Sequence, residues 1–334
     1  MARASAPSPA KPAATRNDVA RLARVSPAVV SYVVNRSKRV SPETEARVRQ
    51  AIAMLGYRPN SAARSLRLGS TETLGMVVPD STNPYFAALA HRVERAAIER
   101  GYDLIVGNSD GSLDGERRLL DQFAARRVDG VLLCSNVYRP SVAGLRADSI
   151  PVVLLNHAVH PPGITSIGVD MQLGARLAVE HLAGHGHRTI GLVIGTDELQ
   201  DARHVGWIDA LAGLGLEQGP VVAVPFNHGG GYEAGKRLLA DGTLPPALFV
   251  SSDRQATGLL LALHEAGVRI PDDVAVVGFD GAEDGAYTWP PLTTIAQPVE
   301  QMASTAVALM IDGADDATHE VFPPTLLIRR SCGC

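Results

Sequence analysis

From Thr15 to Leu55, apolar residues recur three and four positions apart in three short bursts, each opened by a residue suited to cap a helix. Thr15, with Asp18 three residues on, has the form of a capping box, and Val19, Ala20, Leu22 and Ala23 give a first helix its apolar face. Ser26 stands before Pro27, where a missing N–H costs nothing, and Val30, Val33 and Val34 then point one way at i, i+3 and i+4. Pro27, Ala28, Ser31 and Tyr32 must point the other way. A third start at Ser41 and Pro42 leads into Val48, Ala51, Ile52 and Leu55, and Gly56 stops it. Two helices joined by a tight turn, the second with a small or hydrogen-bonding outer face and a third closing the core, form the helix-turn-helix pattern.

Beyond a polar linker (RLGSTET) the pattern changes to short apolar runs alternating with helical periods. Strands are predicted at 74–79, 103–106, 128–133, 152–155, 190–194, 221–224, 247–250 and 274–279. Helices are predicted at 84–100, 114–126, 171–183, 201–213, 231–240, 254–266 and 299–311. Strand and helix taking turns at this spacing imply βα units on parallel sheets, and the length after the linker suits two of them.

Ligands of open α/β sheets lie outside the carboxyl ends of the strands, and two facing lobes turn that edge into a cleft. The groups placed there are Asp80, Asn83, Tyr85 and Phe86, then Asn156 and His157, Arg203, Phe226, Ser252 and Asp253, and Asp280. Carboxylates and a guanidinium can grip several hydroxyls while aromatic rings pack on apolar faces. A sugar or similar polyol is the first expectation and a purine or nucleoside the second.

Charge separates the two halves. Residues 1–70 hold 13 Lys or Arg against Asp18, Glu43 and Glu45, a net of +10, so the whole-chain −4 leaves −14 for the remainder. A basic head on an acidic body is what a polyanion-binding module on a separate globular domain shows. The three cysteines, Cys134, Cys332 and Cys334, form no disulfide framework, and a reduced, cytoplasmic setting is expected. No apolar run reaches membrane-spanning length, and the Ala- and Pro-rich opening lacks an apolar signal-peptide core, so a disordered tail over 1–14 is expected.

VSPETEARVRQAI and its continuation LGYRPNSAARSL resemble the LacI/GalR family of bacterial transcriptional regulators, and the likeness runs through nearly the whole chain. It implies a helix-turn-helix head (15–58), a hinge helix and linker (59–73) and a periplasmic-binding-protein-like effector and dimerisation domain (74–334). Lobe 1 would take about 74–165 and 296–320, lobe 2 about 166–293 and 321–334, with three crossings near 165–170, 293–296 and 321–323. By the same likeness Pro27, Ala28, Ser31 and Tyr32 face the major groove, Asn35 ends that helix, and Thr15 and Ser26 stand at helix starts near the DNA. Asn60 to Leu66 falls on the hinge helix, Leu66 on the apolar wedge that enters the minor groove, and Arg64 and Arg67 beside it as phosphate contacts. Tyr85, Phe86, Asn156, His157, Arg203, Phe226, Asp253 and Asp280 fall where relatives hold their effector, with Asp80 on the same edge. Two positions depart from the family: Arg24 stands where the turn usually has Gly, and Tyr32 where Arg is frequent, which removes bidentate guanine reading from that position.

The function implied is a sequence-specific DNA-binding repressor, a homodimer on a near-palindromic operator, controlled by a small molecule. Without a heptad extension after LLIRRSCGC, a dimer is expected. The hinge segment is about two turns long, too short to be stable alone, so it should order only on DNA. A solute-binding protein is the rival class. Catalysis is not expected: G-x-S-x-G, G-x-G-x-x-G and Walker sequences are missing. GGG at 229–231 reads as a helix-entry loop. His181, His185 and His187 have metal-like spacing but no cysteine or carboxylate placed beside them by sequence, so neither metal nor cofactor is expected.

Overall fold

The computed structural model describes residues 14–35, 37–58, 69–135, 150–157, 163–195, 201–313 and 317–334. They fall into two compact units, Met1–Thr71 and Glu72–Cys334.

In the first unit α1 (Arg16–Ala23), α2 (Pro27–Asn35) and α3 (Pro42–Leu55) enclose Val19, Ala20, Ala23, Val30, Val33, Val48 and Ala51. Thr15 and Asp18 close the capping box on α1, and Ser41 caps α3. Leu22 differs from the expected stripe: it is 45 % exposed, because it lies roughly 100° around α1 from the centre of the Val19–Ala20–Ala23 face. Arg24 takes the left-handed conformation of the turn despite its side chain, with φ 54° and ψ 48°. Its N–H bonds back to the Ala20 and Arg21 carbonyls, which closes α1.

The second unit carries two six-stranded sheets. Its elements are β1 (Thr73–Val78), α4 (Pro84–Glu99), β2 (Asp103–Asn108), α5 (Leu113–Arg126), β3 (Gly130–Leu133), β4 (Val152–Leu155), β5 (Ser166–Val169), α6 (Met171–Gly184), β6 (Thr189–Ile194) and α7 (Ala202–Leu214). There follow β7 (Glu217–Ala223), α8 (His228–Ala240), β8 (Ala247–Val250), α9 (Asp253–Glu265), β9 (Ala275–Asp280), β10 (Thr293–Ala296), α10 (Val299–Asp312), β11 (His319–Phe322) and β12 (Thr325–Leu327). Sheet order is β11-β5-β4-β3-β1-β2 in one lobe and β12-β10-β9-β8-β6-β7 in the other. The pairs are parallel except β10 with β12. Central strands such as β3, β8 and β9 are buried throughout, as parallel strands covered on both faces must be.

The first and third crossings fall at the late end of their expected ranges and the second just beyond its range. β5 belongs to the first sheet, so the chain leaves it at Asp170. It returns at Gln297–Pro298, after β10, and leaves finally at Pro323–Pro324, between β11 and β12. Residues 166–169 thus join lobe 1, 293–296 lobe 2 and 321–322 lobe 1. β11, exposed at its two middle residues, and the small β5 and β10 lack the apolar run that marks a central strand. β7 begins at Glu217, before the apolar run, because it is an edge strand that tolerates polar residues and Pro220.

The glycine run also behaves differently from the expected loop. It forms the first turn of α8, capped by Asn227, whose Oδ1 accepts from the Gly230 N–H at 2.8 Å. Its composition answers to α9: a Cβ at Gly231 would stand 1.8 Å from the Gln255 carbonyl oxygen, and one at Gly258 would stand 1.9 Å from that of His228. The two helices meet backbone to backbone.

Candidate functional site

On the head, the outer face of α2 carries Pro27 and Ala28 in the open, with Ser31 and Tyr32 half-buried. Asn35 donates from Nδ2 to Ser31 Oγ at 2.9 Å, and Lys38 Nζ lies 5.1 Å from the centre of the Tyr32 ring. Ser31 and Asn35 are thereby held as a fixed polar pair, and Lys38, which the helical pattern alone does not single out, adds a cation to the same face. Thr15 and Ser26 act at helix starts: Thr15 Oγ1 donates to Asp18 Oδ2 at 2.6 Å, and Ser26 Oγ accepts from the Val29 N–H at 3.4 Å. Bonds from Thr15, its hydroxyl first, and then Arg21 hold the Asp18 carboxyl below the ordinary carboxylate range. Asn60, Arg64, Leu66 and Arg67 lie outside the described residues.

In the second unit the carboxyl ends of the two sheets share a chain of polar contacts. The Tyr85 hydroxyl, in the first turn of α4, has Asn156 Oδ1 at 2.9 Å and Gln297 Oε1 at 3.0 Å as acceptors that share its single proton. Gln297 Nε2 in turn donates to Asp280 Oδ1 at 2.9 Å. The chain thus runs from the end of β4 in one lobe, through the second crossing, to the end of β9 in the other. Asn156 and Asp280 both stand at positive φ, 62° and 120°, backbone settings that turn these side chains out of the strand direction. Gln297 escapes a reading of strand ends because β10, which delivers it, does not show in the apolar pattern.

Arg203 forms the second arm of this site. Asp201 takes its Nε at 2.8 Å and Nη2 at 2.9 Å in a fork, and Ser251 O accepts from Nη1 at 2.7 Å. The guanidinium is stacked between Phe226, 5.0 Å from the ring centre, and Phe279, 5.4 Å away. A planar cation held in this way is ordered before any ligand arrives. Burial pushes the Asp280 carboxyl up to about 7, against the opposing pull of Arg203 and the Gln297 amide. Near neutrality this group therefore exchanges a proton readily, and only its ionised form is a pure acceptor.

Four further candidates, Asp253, Asp80, Phe86 and His157, each have surroundings set by the protein itself. Asp253 lies under the floor: Thr294 Oγ1 donates to one carboxylate oxygen at 2.5 Å and the Ala282 N–H to the other at 2.7 Å. Burial, then the neighbouring Asp280, raises its pKa well above the ordinary range. Asp80 pairs with Arg254 across the lobes, and Arg254 Nη2 also donates to Thr82 Oγ1 at 3.1 Å. Burial would raise the Asp80 carboxyl, but bonds from Thr82 and Arg254 outweigh it and hold the group below its usual range. Phe86 is buried in the lobe 1 core, edge-on to Tyr85 at 5.2 Å. His157 is half-buried after β4, and burial, then His319, lowers its pKa.

The histidine run has the cysteine partners that spacing alone did not supply. Cys332 and Cys334 come up against His181 and His185, with the four ligand atoms within 4.8 Å of one another. His187 is not part of that group. No helix among the described residues is long and apolar enough to cross a membrane.

Residues 15–60 match the profile described as bacterial regulatory proteins, lacI family, and residues 179–332 match a periplasmic binding protein-like domain. The chain is 36 % identical over 323 residues to the ribose operon repressor of Escherichia coli (strain K12), covering 95 % of this chain and 96 % of that one. It is 35 % identical over 328 residues to the HTH-type transcriptional repressor PurR of Photobacterium profundum, with 95 % and 98 % covered. Among solved structures, the lac repressor dimer bound to operator and the anti-inducer ONPF superposes with a TM-score of 0.84 at 27 % identity, covering 96 % of this chain and 99 % of that one.

Proposed function

The chain belongs to the lacI family of bacterial regulatory proteins and is a DNA-binding transcriptional repressor controlled by a small-molecule effector; we propose that this effector is a sugar held between the lobes and that the working unit is a dimer in the cytoplasm. The carrying observation is the polar chain Tyr85–Asn156–Gln297–Asp280 beside a stacked Arg203. Sugar hydroxyls donate and accept at once, and this row presents hydroxyl, amide and carboxyl groups along one edge. A relative named for the ribose operon makes ribose the first sugar to test.

On the head, the basic excess supplies phosphate attraction, while Ser31 and Asn35 supply the hydrogen bonds that distinguish base edges. Tyr32 in place of a frequent Arg shifts the operator preference away from guanine at its position. Control is assigned to the hinge segment, Asn60 to Leu66, which lies outside the described residues: sugar in the cleft moves the lobes and releases the operator. To swing occupancy from nearly full to nearly empty, the sugar must favour one state by about 5.5 kcal/mol.

The test uses the full dimer with a duplex selected from random sequence. Affinity should fall steeply between low and moderate salt, on the order of 10³-fold or more for six or more phosphate contacts. Adding ribose or another pentose should release the duplex and raise the melting temperature, since ligand at about 100 times its dissociation constant adds roughly 2.7 kcal/mol. Failure to bind any duplex at low salt overturns the DNA reading. Release by a nucleobase with no response to any sugar overturns the sugar reading alone.

A further inference from the structure

The geometry points to a structural zinc site at the end of α6, built by His181, His185, Cys332 and Cys334. His181 lies in the last turn of α6 and His185 caps it, so their spacing of four places both rings on one side. Their ring centres are 4.8 Å apart. Cys334 Sγ stands 3.2 Å from His185 Nε2 and 3.7 Å from His181 Nε2, so the same nitrogen of each ring faces the thiol. Gly333, at φ 100°, supplies the reversal that brings Cys332 and Cys334 round to one point. All four ligand atoms lie within 4.8 Å of one another. Around tetrahedral zinc, with about 2.3 Å to sulfur and about 2.0–2.1 Å to nitrogen, ligand atoms stand about 3.3–3.8 Å apart, so closure asks for shifts of about 1 Å.

The donor set selects the metal. Two thiolates and two imidazoles suit zinc and exclude the oxygen-seeking calcium and magnesium, and four protein ligands leave no open position for catalysis. Two further features favour a cation here. The carbonyl end of α6 carries partial negative charge. Thr293 Oγ1 accepts the Arg329 N–H at 2.8 Å, which directs its own proton to Cys332 Sγ at 3.1 Å, the orienting contact a bound thiolate needs.

The metal would fasten a strap. Residues 329–332 thread beside the sheet of lobe 2, where Ser331 Oγ donates to Val276 O at 2.6 Å and accepts the Thr293 N–H at 2.8 Å. Zinc would tie the end of that strap to α6, the first helix after the first crossing. This role is independent of the identity of the effector.

The test is a titration of untagged, reduced, metal-stripped full-length protein with cobalt(II) as a spectroscopic stand-in. One equivalent per chain should produce the intense visible bands of tetrahedral cobalt with a thiolate charge-transfer band, both bleached by zinc, and zinc should raise the melting temperature. His185→Ala and Cys334→Ser change exposed residues, so folding is not at stake, and each should weaken binding by about 100-fold or more, since even outer-shell changes cost 10–100-fold. A weak octahedral cobalt spectrum in the parent protein, or unchanged affinity in both variants, overturns the site.

Discussion

Asp280 concentrates the chemistry of the cleft in one carboxyl: buried, at φ 120°, bonded to Gln297 and raised to about 7. Because the folded value lies above the ordinary 3.8, the native state holds a proton that the unfolded chain has released, so this group's contribution to stability is complete below about pH 4 and is lost as pH rises through about 7. The slope cannot exceed about 1.4 kcal/mol per pH unit. Effector affinity should run the opposite way if hydroxyls bind the ionised form, falling towards tenfold per unit below about 7. Asp280→Asn should weaken effector binding by about 10–100-fold and flatten that profile, with no loss of melting temperature, as calorimetric titration across pH would read. Arg24 offers a separate check. A non-glycine residue in the left-handed region costs about 1–2 kcal/mol, part of which glycine returns as chain entropy. Arg24→Gly should therefore gain about 1 kcal/mol, seen as about fivefold slower amide exchange in the core of the head.

At the scale of elements, what the sequence shows is what burial writes into it. Central strands and amphipathic helices carry period and apolarity, so 152–155 and 247–250 coincide with β4 and β8 to the residue. The strands β5, β10 and β11 carry neither, which hides them and with them Gln297. Asp253 was legible as a strand-end carboxyl, but whether it faces the cleft or props the floor depends on Thr294 and Ala282, far away in sequence. The Cys–His cluster was hidden for the same reason. The glycines of α8 were legible as unusual, and their cause is the helix against them. Gly231→Ala, with the Gln255 backbone in the way, should cost at least about 1–3 kcal/mol, measured as a lower denaturant midpoint at unchanged slope. Leu66→Ala, on the hinge segment, should reduce operator affinity while leaving effector affinity within about twofold; equal operator affinity would remove the wedge from the mechanism.

Across the whole second unit, the Arg254 pair with Asp80 spans the lobes, as does the Tyr85–Gln297–Asp280 chain. With Asp80 43 % exposed, the pair is worth at most about 1 kcal/mol. Asp80→Asn should accordingly raise the effector concentration for half-release by no more than about fivefold, because it favours the open arrangement without touching the pocket chemistry. A larger loss would place Asp80 on the ligand itself. The threefold crossing carries a consequence for synthesis. Lobe 1 waits for α10 and β11, and lobe 2 for β10 and β12, all made after residue 292. The ribosome therefore releases a finished head long before either lobe can close, and during that interval both nascent sheets have bare flanks that invite neighbouring chains. Production of this repressor should thus depend on holdase chaperones at the moment of translation, even where the mature protein is robust.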